Sequence, residues 1–212
     1  MITTLNEYNQ QTILPKKLLI LESYSSNKVT EPLYAKQFIK PLHTLITAEV
    51  QIAHRIFNSA NDLQGYVTFP KAQIFQDPIF YSPDCIYLSA HGKPACLRLP
   101  NSTISKDELI SCFNGLNYYS NIVYFSACEV FSGDEGNDFA HEFIDTTGTL
   151  AVVGYSKQVP LIDSILIDIL FLTRFFENDG QRFEKLIDVY ESVIRDYPLA
   201  KDYGYKIFLK NQ

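Results

Sequence analysis

The chain is 212 residues long, 46% hydrophobic and 20% charged, enough for one large domain with a buried core or at most two small ones. With 18 Lys and Arg against 24 Asp and Glu, its net charge is −6 and its pI about 5.2, so it has no overall attraction to nucleic acid or an anionic membrane. Its longest apolar stretches fall short of the roughly 18 to 20 residues a bilayer span needs, and no basic start leads into an apolar block, so a cytoplasmic location is expected.

No repeat, low-complexity run or linker divides the sequence. Residues 1–15, polar and ending in Pro15, read as an N-terminal arm, and 16–212 as a single domain. Residues 17–22 form an apolar run of strand length, followed by loop formers over 23–28. Over 31–46, Leu33, Phe38, Leu42, Leu45 and Ile46 recur at helical spacing, with Pro32 in a first-turn position. Residues 50–57 alternate with period two as a second strand. Two more deeply buried strands are expected over 85–90 and 122–127, with a hairpin-like segment and a helix between them. That helix opens on Ser105-Lys106-Asp107-Glu108, a capping box, and runs to Phe113. A helix over 136–143, a fifth strand over 149–154, helices over 162–176 and 182–196, and a late strand over 203–209 complete the reading.

Apolar strands separated by helical segments indicate a parallel sheet covered on both faces. The fold class is α/β, in three layers, with a mostly parallel central sheet of about six strands and helices on both faces. Ligands of such sheets bind beyond the carboxyl ends of the strands. Two reactive side chains fall there: His91, after the strand ending Ser89-Ala90, and Cys128, after Ser126-Ala127. A thiolate beside an imidazole is the apparatus of cysteine nucleophilic catalysis, and neighbouring parallel strands would bring the two together. Gly92 offers a bare backbone N–H directly after His91, and the Cys128 N–H is a second candidate donor for an oxyanion.

The other candidates read as structural. Cys85, Cys96 and Cys112 are expected to be core thiols, and no Cys pair has the C-x2-C spacing of a zinc site. His43, His54 and His141 read as structural or surface residues. The acidic run Asp134-Glu135-Gly136-Asn137-Asp138 lacks a calcium-loop pattern, and Gly133 to Gly136 lacks the Lys-Ser/Thr of a phosphate loop. No metal or cofactor is expected.

Leu88-Ser89-Ala90-His91-Gly92, followed by Val123-Tyr124-Phe125-Ser126-Ala127-Cys128-Glu129, resembles the caspase-fold cysteine peptidases, the clan of caspases, metacaspases, separase and gingipain. The bacterial caspase-like branch called CHAT is the nearest match, and the resemblance spans residues 17 to about 176. It implies that Cys128 is the nucleophile, that His91 protonates the leaving amine, and that the N–H groups of Gly92 and Cys128 hold the oxyanion. It also implies a protein or peptide substrate lying as an added strand along Tyr155-Ser156-Lys157-Gln158-Val159, with Pro160 ending that edge.

The sequence departs from animal caspases in having Ser126 two residues before the cysteine, so cleavage after aspartate is not supported. It departs equally from the metacaspase and clostripain pattern, in which an aspartate stands there and binds a basic side chain. Here Ser126 would line the substrate site, and any acidic partner would have to be Asp163 or Glu22. The function expected is a caspase-like cysteine endopeptidase. As the resemblance implies, its setting is bacterial antiviral defence or regulated cell death, and an activating partner chain or self-association switches it on. A non-catalytic caspase-fold interaction module and a flavodoxin-like ligand-binding domain remain open as alternatives.

Overall fold

In the computed structural model of the chain, which describes residues 16–23, 33–68, 83–114, 122–177 and 183–210, a six-stranded sheet separates two apolar cores. The period-two alternation of each strand makes the division. In β1 (Lys16–Glu22), Leu19 and Leu21 enter one core, and Leu18 and Ile20 the other. The same split recurs in β3 (Cys85–Ser89), with Ile86 and Leu88 against Cys85 and Tyr87, and in β7 (Ile122–Ser126), with Val123 and Phe125 against Ile122 and Tyr124. The first core is closed by α1 (Ala60–Thr68), α2 (Lys106–Phe113) and α3 (Gly133–Thr147). The second is closed by α4 (Leu161–Glu177), α5 (Phe183–Asp196) and an irregular helical segment, with the short α6 (Leu199–Asp202) beside it. This is the three-layer arrangement expected from the sequence.

The strand order is β2-β1-β3-β7-β8-β9, where β2 is Val50–Ile56, β8 Ala151–Tyr155 and β9 Tyr205–Leu209. All pairs are parallel except β8 with β9. From β1 the chain crosses to one side for β2, then returns past β1 for β3, so the order reverses between β1 and β3. A crevice opens at such a reversal, at the carboxyl ends of the strands. The segment between β3 and α2 forms a small antiparallel sheet of β4 (His91–Lys93), β5 (Cys96–Arg98) and β6 (Thr103–Ile104).

Some local expectations change. The helix read over 31–46 is a π-helical turn, Ala35–Ile39, followed by a 3-10 turn, Lys40–Thr44. Pro41 explains the break, because a ring nitrogen without an N–H cannot continue an α-helical ladder. Helix α1 was not anticipated, since it is short and mostly polar. The capping box forms as read: Glu108 N–H donates to Ser105 Oγ, and Ser105 N–H donates to the Glu108 carboxylate at 2.8 Å. Helix α3 begins three residues earlier than expected and ends in left-handed Gly148. The arm over 1–15, most of the loop over 23–28, and Glu31 and Pro32 lie outside the described residues. Among the described residues no helix is long and apolar enough to cross a membrane.

Candidate active site

Strands β3 and β7 pair so that Ser89 faces Ser126, and each strand carries its reactive residue two positions further on. The ladder runs on for one more step, Ala90 N–H donating to Ser126 O at 3.4 Å. There the chains diverge: β3 leads into β4, leaving His91 exposed, while β7 leads into a tight turn that leaves Cys128 half-buried. Both line one cavity of about 190 Å³ at the carboxyl ends of β1, β3, β7 and β8, beside the strand-order reversal.

The turn at Cys128 is held by main-chain bonds. Glu129 adopts left-handed backbone, φ 62°, a conformation that side chains other than glycine disfavour. Its N–H donates to Lys157 O at 3.3 Å, its carbonyl accepts from Ser132 N–H at 2.9 Å, and Phe131 N–H donates to Tyr155 O at 3.1 Å. Gly92 is pressed against this turn: a Cβ there would sit 2.1 Å from Cys128 O and 2.7 Å from Val130 Cγ2. Glycine is therefore required by space, and the main chains of the two expected oxyanion donors are in contact. Cys128 Sγ lies against Val159, accepting its N–H at 3.4 Å and approaching its carbonyl oxygen at 3.8 Å. Among the described residues no hydrogen bond joins His91 to Cys128.

The same cavity is lined by Asp168 of α4, a carboxylate only 1% exposed. Tyr124 and Tyr155 donate to its Oδ1 at 2.5 and 2.6 Å, and Tyr87 and Ser126 to its Oδ2 at 2.5 and 2.6 Å. Burial pushes the Asp168 carboxyl above its ordinary value, opposed by the hydroxyl bonds, and burial likewise drives the three tyrosines far up. On the β1 side, buried Glu22 accepts from the N–H groups of Ala35 and Lys36 at 2.7 and 3.0 Å and meets His54 Nε2 at 2.9 Å. That carboxylate anchors the irregular helical segment whose Tyr34, Ala35 and Ile39 wall the cavity.

The expected substrate-binding residues divide. Ser126 and Tyr155 line the cavity, as does Glu22. Ser156 and Lys157 do not: Ser156 donates through both N–H and Oγ to Gly204 O, and Lys157 Nζ donates to Asp202 O. Asp163 also lies off the cavity, its carboxylate taken by the hydroxyls of Tyr197 and Tyr203, which hold it below its ordinary range. The edge read as the docking strand is itself partly occupied, because Tyr155 O, Ser156 N–H and Lys157 O are already bonded within the chain.

Asp168, Tyr87 and Tyr124 were missed by sequence reasoning. The signal was Tyr-x-Ser repeated at the ends of both strands, with a lone aspartate in an otherwise apolar stretch of α4. Among the described residues no group of three or more His, Cys, Asp and Glu side chains is assembled to hold a metal ion.

No curated protein matches the chain. The solved structure of a secreted C11 cysteine protease from Bacteroides thetaiotaomicron, iotapain, is similar with a TM-score of 0.47 and 10% identity, over 69% of this chain and 54% of that one. The chain thus spans about half the length of that structure. A family model described as "Family of unknown function (DUF6642)" matches residues 17–209, from the second residue of β1 to the last of β9. With nearly the whole sheet inside the match, the chain belongs to the DUF6642 family.

Proposed function

We propose that the chain is a caspase-like cysteine endopeptidase acting on a protein substrate through Cys128 and His91. The observation that carries the reading is that adjacent strands β3 and β7 deliver these two side chains to one cavity at a strand-order reversal. In the first step the Cys128 thiolate forms a C–S bond to the scissile carbonyl carbon, and the oxyanion takes hydrogen bonds from the Gly92 and Cys128 N–H groups. The C–N bond then breaks and His91 gives the departing amine its proton. Water, deprotonated by His91, attacks the thioester, the C–S bond breaks, and acid and thiol are released. Catalytic hydrogen bonds often tighten only when substrate is bound, so the role asked of His91 does not require a direct bond to Cys128 beforehand. A cytoplasmic setting in bacterial defence or regulated cell death, and an activating partner or self-association, belong to the same proposal and rest on composition and the resemblance.

A non-catalytic interaction module has one observation in its favour: the Val159 main chain already engages Cys128 Sγ. Cleavage of a peptide library by wild type, Cys128→Ala and His91→Ala separates the two readings. The endopeptidase reading requires products from wild type that both variants lose; identical product profiles from all three would remove it.

A further inference from the structure

Asp168 has no cationic partner among the described residues, although a buried carboxylate ordinarily has one. Its four acceptor positions are filled by four hydroxyl donors. Tyr87, Ser126 and Tyr155, which line the cavity, have therefore spent their only protons on the carboxylate and can present only lone pairs to whatever enters. Ser164 has likewise donated its proton, to Leu161 O at 2.8 Å. Ser23, 6% exposed and also lining the cavity, has a hydroxyl with no partner among the described residues.

The charges point the same way. Among the described residues no lysine or arginine lines the cavity, and the ionisable ones there are Asp168, Glu22, the exposed His91, and the thiol and phenols already described. The remaining walls, Ile39, Val159, Leu161 and Ile165 among them, are apolar and suit an aliphatic stem. An apolar-walled cavity that presents hydroxyl oxygens, with the Asp168 carboxylate in its lining and no cationic partner for it among the described residues, is complementary to an alkylammonium or alkylguanidinium group.

We propose that this cavity is the specificity pocket for a lysine or arginine side chain, whose cationic head donates to the hydroxyl oxygens of Ser126, Tyr155 and Tyr87 while Asp168 supplies the charge. The acid comes from α4 and acts through a cage of hydroxyls. As a substrate pocket it rests on the peptidase reading, since the cavity adjoins Cys128 and the residue held there would precede the scissile bond.

The first test is independent of cleavage. n-Butylguanidinium, n-butylammonium, n-butanol and butyrate are titrated against the full chain, reading the thermal midpoint and the protection of Cys128 from iodoacetamide. The proposal requires the two cations to bind about tenfold or more tightly than the alcohol and the acid. It also requires that preference to shrink in Asp168→Asn and in Ser126→Ala, the latter retaining the carboxylate if the former does not fold. Equal binding of all four compounds, binding of none, or a preference unchanged in the folded variants overturns it.

The second test uses peptides differing only in the residue before the scissile bond. Cleavage after lysine or arginine about tenfold or more faster than after norleucine supports the pocket. Cleavage after norleucine or aspartate at equal or higher rate overturns the pocket and leaves the peptidase reading standing. Selective binding of the small cations with no peptide cleaved supports the pocket and removes the peptidase reading.

Discussion

Tyr87 and Tyr124 are register partners on β3 and β7, their rings stacked with centroids 5.5 Å apart, and each gives its hydroxyl proton to a different oxygen of Asp168. The parallel register places both phenols on the α4 face of the sheet, so one helix carboxylate ties two strands together directly beneath the cavity. Removing either hydroxyl leaves a buried carboxylate short of a donor. Tyr87→Phe and Tyr124→Phe should each lower stability by about 1–3 kcal/mol in urea denaturation, and the double variant should be non-additive because both act on one group. Two neutral substitutions would contradict the cage.

The same carboxylate gives the fold a pH dependence of defined sign. Burial raises the Asp168 carboxyl above 3.8, so between that value and its native value the folded state holds more protons than the unfolded state. Stability contributed by this group is therefore present at low pH and is lost as pH rises through that window. The stability of wild type minus that of Asp168→Asn, from paired urea curves between about pH 4 and pH 7, should fall as pH rises. A difference that rises with pH would mean that the hydroxyl bonds outweigh burial.

Thiol chemistry should discriminate among the four cysteines. Burial drives the Cys85 thiol up, raises that of Cys112 to about 11, and raises Cys96 more modestly, so all three are protonated at neutral pH. Cys128 sits half-buried on the cavity wall. Iodoacetamide at neutral pH, followed by peptide mass mapping, should modify Cys128 first and leave Cys85 and Cys112 unmodified in the folded protein. Equal rates at all four would contradict this assignment.

Gly92 tests the contact between the two turns. Any side chain there meets the Cys128 carbonyl and Val130, so the main chain proposed to hold the oxyanion must shift. Gly92→Ala should cost about 1–3 kcal/mol of stability and suppress Cys128-dependent turnover by about a hundredfold or more, while circular dichroism still reports a folded chain. A folded variant with unchanged turnover would remove the oxyanion role.

The strands that wall the cavity were legible because each is a run of apolar residues of the right length, and the strand-end positions of His91 and Cys128 because each follows such a run. Three features were hidden for physical reasons. Pro41 turned a helical apolar pattern into a π turn and a 3-10 turn, which periodicity alone does not register. Asp163 and Asp168 lie on the same helix with equal local claims to be functional, and only packing shows that one meets Tyr197 and Tyr203 while the other enters the sheet. Tyr155 was singled out for its main chain along a docking edge, whereas the fold uses its hydroxyl on Asp168. The choice between these roles depends on long-range contacts that no local pattern carries.

The most direct test is covalent: the full chain is incubated with a peptidyl acyloxymethyl ketone, which needs both an activated thiol and a substrate site, and the adduct is located by mass spectrometry. One adduct per chain is expected, on Cys128, abolished in Cys128→Ala and formed about a hundredfold or more slowly in His91→Ala. An unmodified chain, or adducts spread evenly over Cys85, Cys96, Cys112 and Cys128, would contradict it.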